Sequence, residues 1–209
     1  MKRLIVLAIG FCLLASFGSR TLAAGAGQAA QSSAPAAQST DKTPPSYDMK
    51  AQAAFDLADL QKKFTSLAEA IPAEKYSWRP EPGVRSINEL FLHVAAAGIN
   101  YPGAMGVTAP TGFDAKNFEK STTDKAKIIE WLNKSFTFAI TAVNGMSNAD
   151  FAKPLPKLGP DANEGDVVYL MVVHAHEHLG QSIAYARANG IVPPWTAAAA
   201  KKNPQAAQE

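Results

Sequence analysis

The sequence predicts an all-α fold, a four-helix bundle, and three observations carry that expectation. Four segments of about twenty residues space their apolar side chains in steps of three and four, the period of one helix face. Capping residues, prolines and glycines punctuate the ends of these segments. No stretch shows the sustained alternation of a half-buried strand. Four helices that must each bury one apolar stripe find their simplest solution in packing against one another.

The first segment runs from about Asp48 to Ile71, with Ala53, Leu57, Leu60, Phe64, Leu67 and Ile71 as its stripe and Pro72 as its stop. The second runs from about Ile87 to Ala104. Ser86 and Glu89 form a capping box at its start. Ile87, Leu90, Val94, Ala97 and Tyr101 make its stripe, and His93 falls on the same side. The third runs from about Asp124 to Met146, with Thr122 and Thr123 as candidate N-caps. Its stripe is Ile128, Leu132, Ala139, Val143 and Met146, flanked by Trp131 and Phe136. The fourth runs from about Asp166 to Asn189. It aligns Val167, Leu170, His174, His178, Gln181 and Tyr185, and closes at Gly190 before Pro193-Pro194. The connections are long for a bundle, roughly 15–20 residues. Sixteen extended residues reach ~50 Å, against ~30 Å for such a helix, so loop length leaves neighbouring and crossover arrangements both open.

The ends read differently. Residues 1–24 combine Lys2 and Arg3, an apolar run from Leu4 to Phe17 and small residues around Ala23, the pattern of a secretory signal peptide. The apolar run is short for a membrane span, and an uncleaved anchor is the alternative reading. Cys12 follows bulky Phe11, which argues against a lipidation site. The expected location is therefore the periplasm or outside the cell. Residues 25–46 are Ala-, Gln-, Ser- and Pro-rich and too poor in large apolar side chains to offset ordering entropy, so they read as a disordered tether. The bundle occupies 47–195, and 196–209 reads as a disordered tail.

Leader cleavage removes the single cysteine, which leaves no thiol nucleophile and no disulfide. It also removes three cations and no acid, so a chain of formal charge +2 falls to about −1, and the basic pI is no argument for nucleic acid. The expected partner is a small-molecule substrate, with no nucleic acid, no membrane span once the leader is cut, and a homodimer left open.

Chemistry concentrates in histidines. His174 and His178 stand four residues apart on one helix face, where both rings can aim at one point. His93, on another helix, would complete a three-nitrogen set that leaves coordination positions open on a divalent metal. Three clustered imidazoles in an apolar bundle each carry a donor and an acceptor that need partners, and one cation satisfies all three. The alternative is a hydrogen-bonded polar cluster. His176 points to another face and reads as surface. Glu177 reads as a solvated carboxylate near the rim, and Glu89 as a cap rather than a partner of His93. Gln181 returns to the ligand face, either to position a water or substrate or to bond across the bundle; Asn100 has a weaker claim of the same kind.

These residues resemble a known family. Tyr76-Ser77-Trp78-Arg79-Pro80, Pro82-Gly83 and Ser86 through His93 look like the entry into the second helix of the DinB-like (DinB/YfiT) superfamily. His174-x-x-x-His178-x-Gly180-Gln181, then Tyr185, Arg187, Asn189-Gly190 and Pro193-Pro194, looks like its fourth-helix signature. The resemblance covers about Asp48 to Trp195. It implies an up-down-down-up bundle and a divalent metal on His93, His174 and His178, with zinc or nickel favoured and iron or manganese admissible. Some relatives are thiol-dependent transferases or isomerases, but a secreted chain would not meet a reducing thiol pool.

Two functions follow as expectations. One is a metal-dependent hydrolase or transferase acting on a small molecule, since a cation on neutral ligands activates a carbonyl or a water. The other is a non-catalytic metal-binding protein of the envelope or of a stress response. An apo bundle that binds a partner through an apolar patch is a weaker third reading. No serine elbow, P-loop or dinucleotide fingerprint narrows the choice.

Overall fold

A computed structural model describes residues 47–202. The expected leader and tether, and residues 203–209, lie outside that range. Among the described residues there are five α-helices and no named strand: α1 (Met49–Ala70), α2 (Ile87–Ala104), α3 (Lys125–Gly145), α4 (Glu164–Ala188) and α5 (Pro194–Lys202). None is long and apolar enough to cross a membrane.

Local chemistry sets the ends. Asp48 caps α1 by accepting from the Ala51 N–H at 3.0 Å, and Asp124 caps α3 by accepting from Lys127 at 2.9 Å. The cap of α3 is thus Asp124 itself, not Thr122 or Thr123. Asn163 and Asp166 form a reciprocal capping box, so α4 begins at Glu164, two residues before the expected start. Asp166 is therefore the third helical residue and closes the box. Gly190, at φ +77°, ends α4 as expected.

The expected tail is partly helix. Pro194 opens α5, and the alanines from Ala197 to Ala200 are strong helix formers, so order extends through Lys202. That helix packs on α1.

Around the core, α1 contacts α3 and α4, and α2 contacts the same two. Of the helices consecutive in the chain, α2 and α3 pack side by side, whereas α1 and α2, and α3 and α4, stand across the core from one another, which is what the long connections permit. Lys50 Nζ donates to the Met146 carbonyl at 2.7 Å, joining the start of α1 to the end of α3. Lys125 Nζ reaches the carbonyls of Glu69 and Ile71, joining the start of α3 to the end of α1. The shared core holds Leu57, Leu60 and Phe64 of α1, Leu90, Phe91 and Leu92 of α2, Ile128 and Leu132 of α3, and Val168 and Met171 of α4. Gly98 lets α2 approach α3 closely: a Cβ there would stand 3.3 Å from that of Ser135.

The segment before α2 is built to aim that helix. Tyr76 is buried, and its hydroxyl donates to the Ala68 carbonyl at 2.7 Å. The carbonyls of Tyr76 and Trp78 accept from the first backbone N–H groups of α2, at Asn88 (2.9 Å) and Ile87 (3.0 Å). Trp78 packs edge-on against Tyr185 near the end of α4. The aromatic pair therefore fixes the entry of α2 against α4, the two helices that carry the histidines.

Candidate metal centre

Sequence periodicity places the histidines of α4 in the core stripe, and the structure moves them to its edge. Val167 and Tyr185 of the expected stripe are buried, and the line buried along the length of α4 is Val168, Met171, Ala175, Leu179, Ser182 and Ala186. Leu170 is exposed, whereas His174, His178 and Gln181 are half-buried one position around the helix. His93 is likewise half-buried on α2. The site thus lies in the seam between α2 and α4, where apolar interior meets solvent.

The three rings converge there. Ring centroids are 5.0 Å apart for His93 and His174, 4.7 Å for His93 and His178, and 4.4 Å for His174 and His178. One nitrogen from each lies within 4.8 Å of the others. The Nε2 atoms of His93 and His174 are 3.1 Å apart.

The outer partners decide which nitrogens are available. His93 Nδ1 stands 2.7 Å from Glu119 Oε1. A carboxylate only accepts, so that nitrogen carries the proton and Nε2 presents its lone pair. His178 Nδ1 stands 2.8 Å from Gln181 Oε1, which also accepts, and this leaves His178 Nε2 as a lone pair. The Gln181 amide is held in turn by donating from Nε2 to the Tyr185 hydroxyl at 2.9 Å. The His93 Nε2 lone pair, 3.1 Å from His174 Nε2, is met either by a proton carried on His174 or by a cation shared with it. Together with the outer hydrogen bonds, this is the donor set of a nitrogen-ligated divalent metal, so the residues fit the group.

Electrostatics agree. Burial lowers the His174 pKa to about 4, helped by the neighbouring charges of His178, His93 and Arg85. Burial also lowers His93, against the opposing pull of its bond to Glu119. Its contact with Glu119 is therefore a hydrogen bond from a neutral ring rather than an ion pair, which is the form a metal needs. For Glu119 burial acts upward, but hydrogen bonds from Arg85 and His93 outweigh it and hold the carboxyl below its ordinary range. Arg85 grips both oxygens of Glu119, at 2.7 and 3.2 Å.

Other candidates sort cleanly. His176, Glu177 and Asn100 are exposed. Glu89 accepts from the Ser86 N–H at 2.9 Å and pairs with Arg79 at 3.1 Å, which makes it the cap expected. Gln181 reaches His178, so its bond is within the helix rather than across the bundle. Gly180, part of the helix signature, has nothing within 4 Å of a Cβ built on it. Glu119 escaped sequence reasoning. It sits in a single 3-10 turn, Phe118–Lys120, within a connection that has no periodicity to read. Tyr101, expected only as a core residue, packs edge-on against His174 at 5.6 Å.

The sequence profile of the DinB superfamily matches residues 56–182, which include all three histidines and Gln181. This chain belongs to the DinB superfamily. The fold is similar to a DinB-like protein from Bacillus cereus ATCC 10987, with a TM-score of 0.58 and 14% identity over 68% of this chain and 93% of that one. It is also similar to a conserved protein from Enterococcus faecalis, with a TM-score of 0.57 and 13% identity over 68% and 97% of the respective chains. At such identities the likeness is one of fold. No curated protein matches the chain in sequence.

Proposed function

We propose that this DinB superfamily chain holds a divalent cation on His93, His174 and His178 and uses it for hydrolysis or group transfer on a small molecule. The convergence of three imidazole nitrogens carries the reading. Neutral imidazoles suit zinc or nickel, and iron or manganese also accept them. Among the described residues the group has three members, the number that leaves room for a substrate. Bound there, such a cation supplies Lewis acidity toward a carbonyl or a water. The chain's own share is orientation. Glu119 fixes the tautomer of His93, and Gln181 acts through His178 as a positioning residue.

A second reading is a non-catalytic metal-binding protein of the envelope or of a stress response. It is favoured by the placement of the cluster, since a cation there would tie α2 to α4. Both readings take the chain to the periplasm or beyond, on the leader-like composition of residues 1–24. We further read the helices as running up-down-down-up. The Lys50 and Lys125 bonds oppose α1 to α3, Trp78 against Tyr185 with Tyr101 against His174 opposes α2 to α4, and Ala53 beside Val168 aligns α1 with α4.

Elemental analysis of the purified chain tests the site. About one divalent ion per chain is expected; His178→Ala should lose most of it and His176→Ala should keep it. Equal retention by both variants would overturn the ligand set. Cobalt substitution separates the two readings. A visible spectrum that shifts when azide is added indicates an open position and favours the enzyme. An unresponsive spectrum with a large gain in melting temperature favours the structural role.

A further inference from the structure

We propose that a cavity flanking the histidine cluster is a binding site for a small molecule bearing a carboxylate or phosphate group. The cavity has a volume of about 640 Å³, and its charged and polar wall is Arg79, Arg85, Lys120, Glu89, Glu119 and Gln181. That volume suits a small-molecule site.

The charge balance selects the ligand. Three cations face two carboxylates, and both carboxylates are already engaged. Glu89 accepts from the Ser86 N–H and pairs with Arg79, while Glu119 takes the Arg85 fork and His93 Nδ1. Lys120 is exposed and pairs with no carboxylate among the described residues. One positive charge is left in excess, with the Lys120 ammonium and the remaining guanidinium N–H groups of Arg79 and Arg85 as unspent donors. A group made only of acceptors, carrying negative charge, satisfies that wall; a cation or an apolar ligand does not.

The same cavity gives a role to residues that touch no histidine. Gly83, at φ +86°, makes the turn that brings Arg79 and Arg85 to one wall, a backbone conformation that a side chain would strain. Arg79 donates to the Val84 carbonyl at 2.6 Å across that turn. The link to the metal centre is direct, because Glu119 and Gln181 line the cavity and each also bonds a histidine. That the anion is the acidic end of the substrate rests on the metal-centre reading; that it binds here does not.

The test is calorimetric titration of the full chain, as isolated, with inorganic phosphate and separately with succinate at fixed ionic strength. Saturable binding of about one anion per chain is expected for at least one probe, and which probe binds distinguishes a phosphate site from a carboxylate site. Lys120→Glu should weaken it at least ~10-fold. Lys201→Glu, the same charge change on α5 outside the cavity, should not. His178→Ala should lose the metal yet keep the anion. Binding of neither probe, or equal weakening by the two lysine variants, overturns the proposal. So does loss of the anion together with the metal in His178→Ala, because the anion would then sit on the cation, and the metal reading would survive. A chain that binds the anion but never a metal sinks the metal reading alone. Unchanged urea midpoints for Lys120→Glu show that the comparison is between folded proteins.

Discussion

Two seams of this bundle carry polar side chains, and they treat them oppositely. Between α1 and α3, Gln61 Nε2 donates to the carbonyl and side-chain oxygen of Asn133, Thr65 donates to the same side chain, and two lysines clamp the ends on backbone carbonyls. Donors there meet acceptors, and nothing further is called for. Between α2 and α4, three imidazoles aim nitrogens at a common point, and their proton-bearing nitrogens at His93 and His178 are spent outward on Glu119 and Gln181. A polar seam that closes on itself holds a fold together. One whose acceptors converge with their donors turned away is built for something else to enter.

The comparison breaks most forcefully in the core shared by both seams. Phe64 of α1 is fully buried and stacks near Phe91 and Phe136. Phe64→Ala is expected to lower unfolding stability by ~3–5 kcal/mol in urea titration. Metal content of the protein that remains folded should not change, since the ligands and their outer partners lie on α2, α4 and the Phe118–Lys120 turn, not on α1. Loss of metal in proportion to loss of stability would show that the seam is not preformed but depends on the whole core.

Glu119→Gln sharpens the comparison at lower magnitude. The amide keeps the shape and can still accept from His93 Nδ1, but it removes the charge that draws Arg85 and steadies the ring. Metal affinity should fall ~10–100-fold, read by competition with a chelating dye. Stability of the metal-free chain should change by less than ~1 kcal/mol, because the Arg85–Glu119 pair is partly solvent-exposed and screened. An unchanged affinity would reduce Glu119 to a surface ion pair that happens to lie near a ligand.

The difference between the seams also explains what the sequence revealed. His174 and His178 were legible because a helix turns the spacing of four into a shared direction. His93 was legible as a periodic member of a second helix. The depth of the site was not. On α4 two adjacent stripes fit the helical period: the expected one is buried only toward its ends, at Val167 and Tyr185, while the one through Val168, Met171, Ala175, Leu179, Ser182 and Ala186, half of it small residues, is buried along its length. Small residues bury readily but signal weakly. Glu119 and Arg85 lay beyond reach for another reason: they meet across 34 positions, from irregular connections whose paths no local pattern dictates. The self-closing pairs of α1 and α3 were invisible in the same way, since Gln61 and Asn133 look like any exposed polar residues until the helices are docked.

Acid gives the smallest and most selective test. The α1–α3 ties are amides, hydroxyls and lysines, and none changes protonation between pH 6.5 and 4. On the other seam, burial holds the neutral form of His174, moving its pKa from 6.5 to about 4, and lowers His93 in the same direction. In that window the unfolded chain binds protons that the folded chain refuses, so unfolding stability rises with pH across it. The metal-free protein should therefore be at full strength above pH 6.5 and lose stability as pH falls toward 4, after which His174 adds no further slope. Glu119, with its pKa held below 4.5, keeps its contribution above that value and loses it only as pH falls further, so most of the histidine window lies above its loss. Urea midpoints measured across the window should fall with acid in the native sequence and fall less in His174→Asn. If the two curves stay parallel, the buried imidazole of His174 is not what refuses the proton, and the electrostatic half of the contrast between the seams fails while its geometric half remains.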